Sequence, residues 1–463
     1  MQASPGQSLP NPSDSHSSGV LPGAAEQIWS GRLFRFVVIV FALNVVSAAL
    51  FIGMVNRQVY DEPYNIFDVH NYATRGLSME TLLSHRNPPG PTGFLWMAAG
   101  VRLLGGDELR DARVATLMSW ILLAAGILIG VRHSRFPQLW YGALLTTLVF
   151  PHALEASATL LTEGPSLLFA VLGALAWIEF ASDPNTTPRL FALALLGGLS
   201  MGVAVTCRQY NLALLPAAAL FVLYQWRSPA YREKRGWALN AILSVALAVV
   251  PVLLMVLVWK GISSPGMATG TSYDHMWKAT VGLNLTRSVV VAFYAAVYLL
   301  PLTFPAMFQM KLSLRRRAFL IAVLGGAVVT YFNALFLQPG PLNSLIRFVS
   351  RVPYGGTVLF AAIAVVVIYN AASACSLFWE QRQVLSLCAP AVLALLVIVF
   401  FVAEQIGVGG NIPFYDRYVL QLAPFLGVLA FAVLPRLTTG RVLAFAGMSV
   451  LSHIMLWRFA FGG

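Results

Sequence analysis

Acidic residues and cysteines are scarce in this chain. Asp and Glu together supply 18 of its 463 residues, and charged residues of either sign make up 10%. The three cysteines, Cys207, Cys375 and Cys388, lie within or beside apolar stretches and show no CxxC or Cys/His spacing, which argues against disulfides and a zinc site. No GxGxxG, Walker, HExxH or GxSxG motif occurs in a context that would support a nucleotide or hydrolase site.

Hydrophobic residues are abundant instead. They make up 58% of the chain, and the mean hydropathy is +0.73, which is typical of a polytopic membrane protein. The net charge of +12 does not require a nucleic-acid partner, because clusters of Arg and Lys between apolar segments orient a membrane protein. We therefore expect membrane lipid as the surroundings and no nucleic acid as a partner.

Apolar runs of membrane-crossing length recur along the chain. They lie near 34–55, 114–131, 138–153, 164–180, 190–206, 211–226, 237–258, 288–308, 318–337, 354–370, 384–403, 418–434 and 441–457. The sequence therefore predicts an all-α protein of about 13 transmembrane helices.

The start of the chain differs in composition from the rest. It is rich in Ser, Pro and Gly, and we predict a disordered cytoplasmic tail over residues 1–33. This tail is too long and too polar for an ordinary signal peptide, so the apolar segment after it should remain as a membrane anchor. Residues 34–463 are predicted to form a single transmembrane domain.

The basic loops set the predicted orientation. We interpret the short apolar stretch 92–104 as a helix on the outer surface, because the basic clusters in 132–135, 227–235 and 311–317 then all lie inside. Counting 92–104 as a span would place those clusters outside. The first outer loop is then 56–113, and the outer face is where chemistry is expected.

Two adjacent carboxylates, Asp61 and Glu62, follow the first apolar segment. At a boundary between water and lipid, a carboxylate can take a proton from an acceptor hydroxyl or hold a cation. The alternative is a solvated pair that caps the next helix, since Pro63 suits a first helical position.

The remainder of the first outer loop has its own pattern. Residues 63–75 predict an amphipathic helix stopped by Gly76, residues 78–84 a second short helix, and residues 92–104 a third. Helices that lie along the membrane interface would form a floor for a lipid-linked substrate. The alternative is an ordinary long loop folded on the surface.

Polar residues interrupt the apolar pattern at three more outer positions. Glu163 begins the fourth span, Arg208-Gln209-Tyr210-Asn211 interrupts the run 190–226, and Asp416-Arg417-Tyr418 precedes the run 418–434. An Arg at the lipid–water boundary can simply reach out to water. It is also the side chain that best grips a phosphate through paired hydrogen bonds.

The order of these motifs resembles the C-type fold glycosyltransferases, membrane enzymes that take sugars from polyprenyl- or dolichyl-phosphate. Aminoarabinose transferases and protein O-mannosyltransferases are of this kind. In them an Asp-Glu pair follows the first span, a Pro-containing stretch such as 87–89 opens a surface helix, and an acidic residue before a small residue and Pro begins the fourth span. Those relatives more often have Asp where this chain has Glu163, which leaves its role open. The stretch 208–211 is similar to Arg-Gln-x-Asn of the dolichyl-phosphate-glucose α-1,2-glucosyltransferase.

This resemblance implies inverting transfer of a hexose-type sugar from a polyprenyl-phosphate donor to a hydroxyl of a glycan, lipid or protein acceptor. Asp61 would be the general base, and Arg208, Arg417 and Arg86 would bind the lipid phosphate. Glu163 and Glu62 would position the acceptor, and a divalent cation remains an option for Asp61 and Glu163. Outer polar residues are the candidates for other substrate contacts, namely Asp68, His70, His85, Gln209 and Tyr418.

Two other classes of function stay open at this point. A lipid or solute transporter or flippase would place charges near the bilayer midplane and repeat broken helices in two halves. A non-catalytic membrane subunit that binds a polyprenyl lipid is the third alternative. For the transferase, we expect a bacterial inner membrane with the active site on its outer, periplasmic face.

Overall fold

The computed structural model of the protein describes residues 23–59, 61–87, 90–132, 134, 136–261, 264–266, 285–309, 311–337, 341–383, 388–407 and 416–461. Every regular element in these ranges is helical. The first twelve α-helices, in chain order, are α1 Gly23–Met54, α2 Glu62–Arg75, α3 Met79–Leu83, α4 Pro91–Leu104, α5 Glu108–Val131, α6 Pro137–Val149, α7 Ala153–Ala158, α8 Glu163–Ala181, α9 Pro188–Cys207, α10 Leu214–Trp226, α11 Pro229–Arg232 and α12 Arg235–Trp259.

The second part of the chain is built in the same way. Its α-helices are α13 Leu285–Thr303, α14 Ala306–Gln309, α15 Leu312–Tyr331, α16 Asn333–Phe336, α17 Pro341–Val349, α18 Gly355–Glu380, α19 Ala389–Gly407, α20 Ala423–Val433 and α21 Thr439–Phe461. Two short 3₁₀ helices, Gln209–Ala213 and Asp416–Leu422, lead into α10 and α20.

The predicted all-α membrane architecture is confirmed. Within the described ranges, nine helices are long and apolar enough to cross a membrane. The four other predicted runs correspond to α6, α10, α15 and α20. Of these, α6, α10 and α20 are shorter than a full crossing, and α15 has three consecutive arginines, residues 315–317, in its first two turns. The chain is an integral, multi-pass membrane protein, and the total of 13 spans remains a prediction.

The first helix begins earlier than predicted. It starts at Gly23, so residues 23–33 are helical where we predicted a disordered tail. Residues 1–22 lie outside the described ranges. The apolar run that continues α1 explains the difference, because a helix that must cross the membrane can extend into polar sequence at little cost.

The predicted helices of the first outer loop are all present. Pro63 lies in the first turn of α2. Gly76 directly follows the last residue of α2, and its φ of 75° is unfavourable for residues with a Cβ. Ser78 and Thr81 form a reciprocal capping box at the start of α3. Gly105, with φ 66°, ends α4. Residues 92–104 thus form the separate helix that we predicted.

Close backbone contacts hold the spans together around α8 and α9. A Cβ built on Gly197 would lie 3.0 Å from the Trp177 backbone nitrogen, and one built on Gly198 would clash with the Ser244 carbonyl oxygen. Apolar side chains gain little by leaving lipid for protein, so membrane helices rely on such close approach for stability. These contacts hold the middle of α9 against α8 and α12.

Candidate active site

Four charged side chains from distant parts of the sequence meet at one end of the membrane-spanning helices. Asp61 precedes α2, Glu163 is the first residue of α8, Arg208 follows the last residue of α9, and Arg417 lies in the 3₁₀ helix before α20. Because α8 and α9 are consecutive antiparallel spans, the start of α8 and the end of α9 lie on the same side. We call this group of four the charged cluster.

Ion pairs connect all four members of the charged cluster. Arg208 Nη2 donates to Glu163 Oε1 at 2.6 Å. Arg417 Nη2 donates to Asp61 Oδ2 at 2.5 Å, and Arg417 Nε lies 3.8 Å from Glu163 Oε1. The two acidic side chains are therefore joined through one arginine, as the sequence motifs alone could not reveal.

The two carboxylates of the charged cluster differ in exposure. The Asp61 side chain is 33% exposed, whereas that of Glu163 is 1% exposed. Glu163 stands at a helix N-terminus and Arg208 at a helix C-terminus, so the helix dipoles favour both charges. Asp61 can meet an incoming group, while Glu163 holds the two arginines in place.

Aromatic side chains cover the arginines. The ring of Tyr418 lies 5.9 Å from the Arg208 guanidinium carbon and 5.5 Å from that of Arg417. Tyr210 packs on Tyr418, with ring centroids 4.8 Å apart. Tyr418 thus lies beside the charged cluster, as expected for a substrate-contacting candidate, and Gln209 follows Arg208 in a partly exposed position.

Glu62 lies in a different environment from its neighbour Asp61. Its two oxygens accept from Arg113 Nε at 2.8 Å and Arg113 Nη2 at 2.6 Å, and from the backbone amides of Leu160 and Val59. Both charged side chains are almost completely buried. This bidentate pair favours a structural role for Glu62, in place of the acceptor-positioning role that the resemblance implied.

Asp68 and His85 are also buried rather than open to a substrate. Asp68 accepts from the backbone amides of Arg86 and Asn87, and from Asn87 Nδ2 at 2.6 Å. His85 Nδ1 lies 3.2 Å from Asp68 Oδ2, and its ring stacks on Trp259. These bonds shape the loop that follows α3, so the geometry favours a structural role over the predicted substrate contact.

Tyr72 completes the group around Asp68. Its hydroxyl lies 3.4 Å from His85 Nδ1. Burial, and then the negative charge of Asp68, raise the pKa of this hydroxyl well above its ordinary value. Tyr72 therefore stays neutral and acts as a hydrogen-bonding partner rather than as an acid or base.

The two remaining outer candidates are exposed. The Arg86 guanidinium carbon lies 3.7 Å from the centroid of the Phe67 ring. His70 Nδ1 lies 3.2 Å from Glu108 Oε2 on the solvent side of α2. Arg86 faces solvent from a shaped loop, and its phosphate role stays a prediction. The His70 pair with Glu108 is typical of a surface contact.

Comparison with known proteins adds one fold match. No protein-family model and no curated protein matches the chain. The crystal structure of ArnT from Cupriavidus metallidurans bound to undecaprenyl phosphate matches it with a TM-score of 0.50 and 16% identity, over 90% of this chain and 63% of that chain. ArnT from the same organism in the apo state matches with a TM-score of 0.41 and 15% identity, over 92% and 78%.

The chain therefore shares its fold with ArnT. The chain spans 63% of the length of the lipid-bound ArnT structure, so more than a third of that protein has no counterpart in the match. The predicted resemblance in fold is confirmed.

Several buried charged residues were missed by sequence reasoning. Arg113, the partner of Glu62, lies within an apolar helix 51 positions later. His152 and Glu155, whose side chains approach to 3.1 Å, form a second buried pair near Arg458. Arg113 ends a charged stretch directly before the apolar run 114–131, and nothing local in the sequence indicated that it is buried and paired with Glu62.

Metal binding at the charged cluster remains a prediction. In the described part of the chain, no group of three or more His, Cys, Asp or Glu side chains is placed to hold a metal ion. Asp61 and Glu163, the candidate ligands, both contact Arg417. A cation would therefore have to compete with a guanidinium for these oxygens.

A separate open cleft of about 640 Å³ lies at the C-terminal end of α12. It is lined by Met79, Leu83, Leu257, Val258, Lys260 and Pro265. Its lining contains no member of the charged cluster. The helix α3 of the first outer loop thus borders an apolar surface at the expected level of the membrane interface.

Proposed function

We propose that the protein is an integral-membrane glycosyltransferase that moves a hexose-type sugar from a polyprenyl-phosphate carrier to an acceptor hydroxyl. The charged cluster is the observation that supports this most strongly, because it places a partly exposed carboxylate and two buried arginines at one membrane boundary. The ArnT match supports it further, since that protein was crystallised with undecaprenyl phosphate.

In this mechanism Asp61 takes the proton of the acceptor hydroxyl. The acceptor oxygen forms a bond to the anomeric carbon, and the bond between that carbon and the phosphate oxygen breaks. The electron pair of the broken bond stays on the polyprenyl phosphate, which leaves. Attack from the face opposite the phosphate inverts the anomeric centre.

Arg208 and Arg417 offset the charge that develops on the departing phosphate. Both guanidinium groups are nearly buried, so little water screens them, and each is oriented by a carboxylate. Glu163, which contacts both arginines, acts as a positioning residue. The phosphate would compete with Asp61 for Arg417, and this exchange would leave Asp61 open to the acceptor.

The arrangement favours transfer at the outer face of the membrane. The charged cluster lies on the side opposite to the basic loops 227–235 and 311–317, which the positive-inside rule places in the cytoplasm. In a bacterial cell this is the periplasmic face of the inner membrane. Glycan, lipid and protein acceptors with a free hydroxyl are all compatible with this site.

The test is sugar transfer by the purified protein in lipid nanodiscs. A panel of radiolabelled polyprenyl-phosphate sugars is offered with extracted membrane lipids, glycans and proteins, and a parallel panel carries the same sugars on nucleotides. We expect transfer from at least one lipid-linked sugar and none from nucleotide sugars. Transfer from nucleotide sugars alone would contradict the proposal. So would transfer from no donor by a protein that, in sealed liposomes, moves the lipid-linked sugar from one leaflet to the other.

A further inference from the structure

A neutral polar layer lies one helical turn below the charged cluster. Ser166 Oγ donates to Gln421 Oε1 at 3.3 Å and accepts from Asn211 Nδ2 at 2.5 Å. Ser166 follows Glu163 by three residues in α8, and Gln421 follows Arg417 by four residues in the 3₁₀ helix. The contacts 163–417 and 166–421 therefore place Gln421 against the first turn of α8.

The carbonyl end of the Gln421 amide faces Ser166. The Ser166 hydroxyl donates its single proton to Gln421 Oε1, and its oxygen accepts from Asn211 Nδ2. The carbonyl end of the amide is thereby occupied, and the N–H₂ end points elsewhere. Gln421 is 2% exposed, and its Nε2 has no hydrogen-bond partner among the residues that the structure describes.

Two more buried polar atoms near this turn lack a hydrogen-bond partner. Within the described ranges, Glu163 Oε2 and Thr162 Oγ1 have no such partner, and both residues are only 1% exposed. The Thr162 methyl group faces α4, since a Cβ on Gly93 would lie 2.6 Å from it. Buried polar groups without partners are costly, so several on one helical turn indicate a site for a polar group from outside the chain.

We propose that Glu163 Oε2, Gln421 Nε2 and Thr162 Oγ1 form a subsite for a hydroxyl group of the transferred sugar. This inference rests on the proposed function. A sugar hydroxyl donates one hydrogen bond and accepts others, which matches a carboxylate oxygen, an amide N–H and a threonine hydroxyl. Neutral side chains make up the rest of the layer, so the subsite suits an uncharged sugar.

The position of the subsite selects one hydroxyl of the ring. The other oxygen of the same Glu163 carboxylate binds Arg208 and faces Arg417, the two proposed phosphate ligands. A group that reaches Oε2 therefore lies next to the phosphate. In a sugar phosphate the hydroxyl nearest the phosphate is the one on the carbon beside the anomeric centre, so we assign the subsite to the 2-hydroxyl.

The test compares binding of three ligands by the full-length protein in nanodiscs. They are polyprenyl phosphate alone, the accepted polyprenyl-phosphate sugar, and its 2-deoxy analogue. We expect wild type to bind the sugar-bearing lipid about tenfold or more tightly than the 2-deoxy lipid, as expected for a lost hydrogen bond to a charged group. The 6-deoxy analogue should bind like the parent.

The informative variant is Gln421→Met, which keeps the length of the side chain and removes its N–H donor. It should bind polyprenyl phosphate within about threefold of wild type while discrimination against the 2-deoxy analogue falls by about tenfold. Gln421→Met leaves the Ser166 hydroxyl without its acceptor, and the double variant Ser166→Ala/Gln421→Met removes that hydroxyl as well. The double variant should behave like Gln421→Met. Gln225→Met, the same change in the partly buried inner end of α10, is the matched control.

The outcomes separate the two proposals. Undiminished 2-deoxy discrimination in a Gln421→Met protein that binds polyprenyl phosphate normally would overturn the subsite and leave the proposed function standing. Equal binding of parent and 2-deoxy lipid by wild type would do the same. A wild-type protein that binds none of the three lipids would contradict both.

Discussion

Arg208 differs from an arginine that merely reaches out to water, because its guanidinium group is buried and bound to a buried carboxylate. Lys would keep the charge but lose the planar fork that can hold Glu163 and a phosphate together. We expect Arg208→Lys to lower turnover with limiting polyprenyl-phosphate donor by about tenfold or more, since a charge-assisted hydrogen bond contributes roughly 1.5–3 kcal/mol. Donor kinetics at saturating acceptor are the measurement.

The matched control for this change is Arg57→Lys. Arg57 is an exposed outer arginine that donates from Nη2 to the Phe459 carbonyl oxygen, outside the charged cluster. Its replacement should leave donor kinetics within about twofold of wild type. Unchanged kinetics in both variants would make Arg208 a structural anchor and direct the search for the phosphate site to Arg417 and Arg86.

Glu62 and Asp61 are adjacent, but we expect loss of Glu62 to lower stability and loss of Asp61 to lower the rate of transfer. Glu62→Gln leaves the buried Arg113 charge without its counter-charge, and breaking a buried ion pair costs about 3–5 kcal/mol. The expected result is a lower thermal unfolding temperature and poor recovery from the membrane. Glu108→Gln, in an exposed pair with His70, is the control and should unfold like wild type.

A Glu62→Gln protein with normal thermal stability and no transfer would assign Glu62 to the chemistry instead.

The different partners of Asp61 and Glu62 could not be predicted from the sequence. Two neighbouring carboxylates look equivalent in sequence, but only the fold reveals that one faces Arg113 in α5 and the other Arg417, 356 positions away. Local patterns contain no information about such distant partners.

At the scale of elements, the first outer loop was predictable and its internal contacts were not. Gly76, Ser78 and Gly105 mark helix ends through backbone conformation and capping, which are local properties. Asp68 was predicted as a substrate contact, whereas its partners are mostly backbone amides of the loop after α3, and the substrate contact stays a prediction. A pattern of side chains does not show where backbone donors lie.

This role of Asp68 leads to a prediction about loop dynamics. Asp68→Asn replaces one acceptor oxygen by an N–H₂ group that faces the amides of Arg86 and Asn87. We expect amide hydrogen exchange in residues 85–87 to become faster by about tenfold, as expected for the loss of roughly 1.4 kcal/mol of protection. His70→Ala, on the exposed side of the same helix, should leave this exchange unchanged.

Exchange that is as slow in Asp68→Asn as in wild type would contradict the structural role of Asp68. In that case the buried carboxylate would again be a candidate for contact with a substrate.

At the scale of the whole molecule, the distribution of basic residues predicts the topology. The topology in turn decides on which side of the membrane the charged cluster lies. A cysteine-free protein with Glu80→Cys or Glu233→Cys presents one exposed thiol in the first outer loop or in the basic loop after α11. We expect an impermeant maleimide to label Glu80→Cys in intact cells and Glu233→Cys only after the membrane is opened. The reverse result would invert the topology and place the charged cluster in the cytoplasm.

The overall helical architecture was the most predictable feature of the molecule, and the number of membrane crossings was the least predictable. Hydropathy identifies each apolar run, because a crossing segment needs about 20 apolar residues. It cannot decide whether short helices such as α6, with 13 residues, or α20, with 11, reach both surfaces. Their depth depends on neighbouring helices, which hydropathy along one segment does not describe.

The central claim is that Asp61 is the base of a sugar-transfer reaction, and the Asp61→Asn protein tests it most directly. Single-turnover transfer and equilibrium binding of the polyprenyl-phosphate sugar are measured on the same nanodisc preparation. An amide keeps the shape of the side chain and cannot take the proton, so transfer should slow by on the order of 10²–10⁴-fold while donor binding stays within about threefold. An Asp61→Asn protein that keeps more than about a third of the wild-type single-turnover rate would contradict the account.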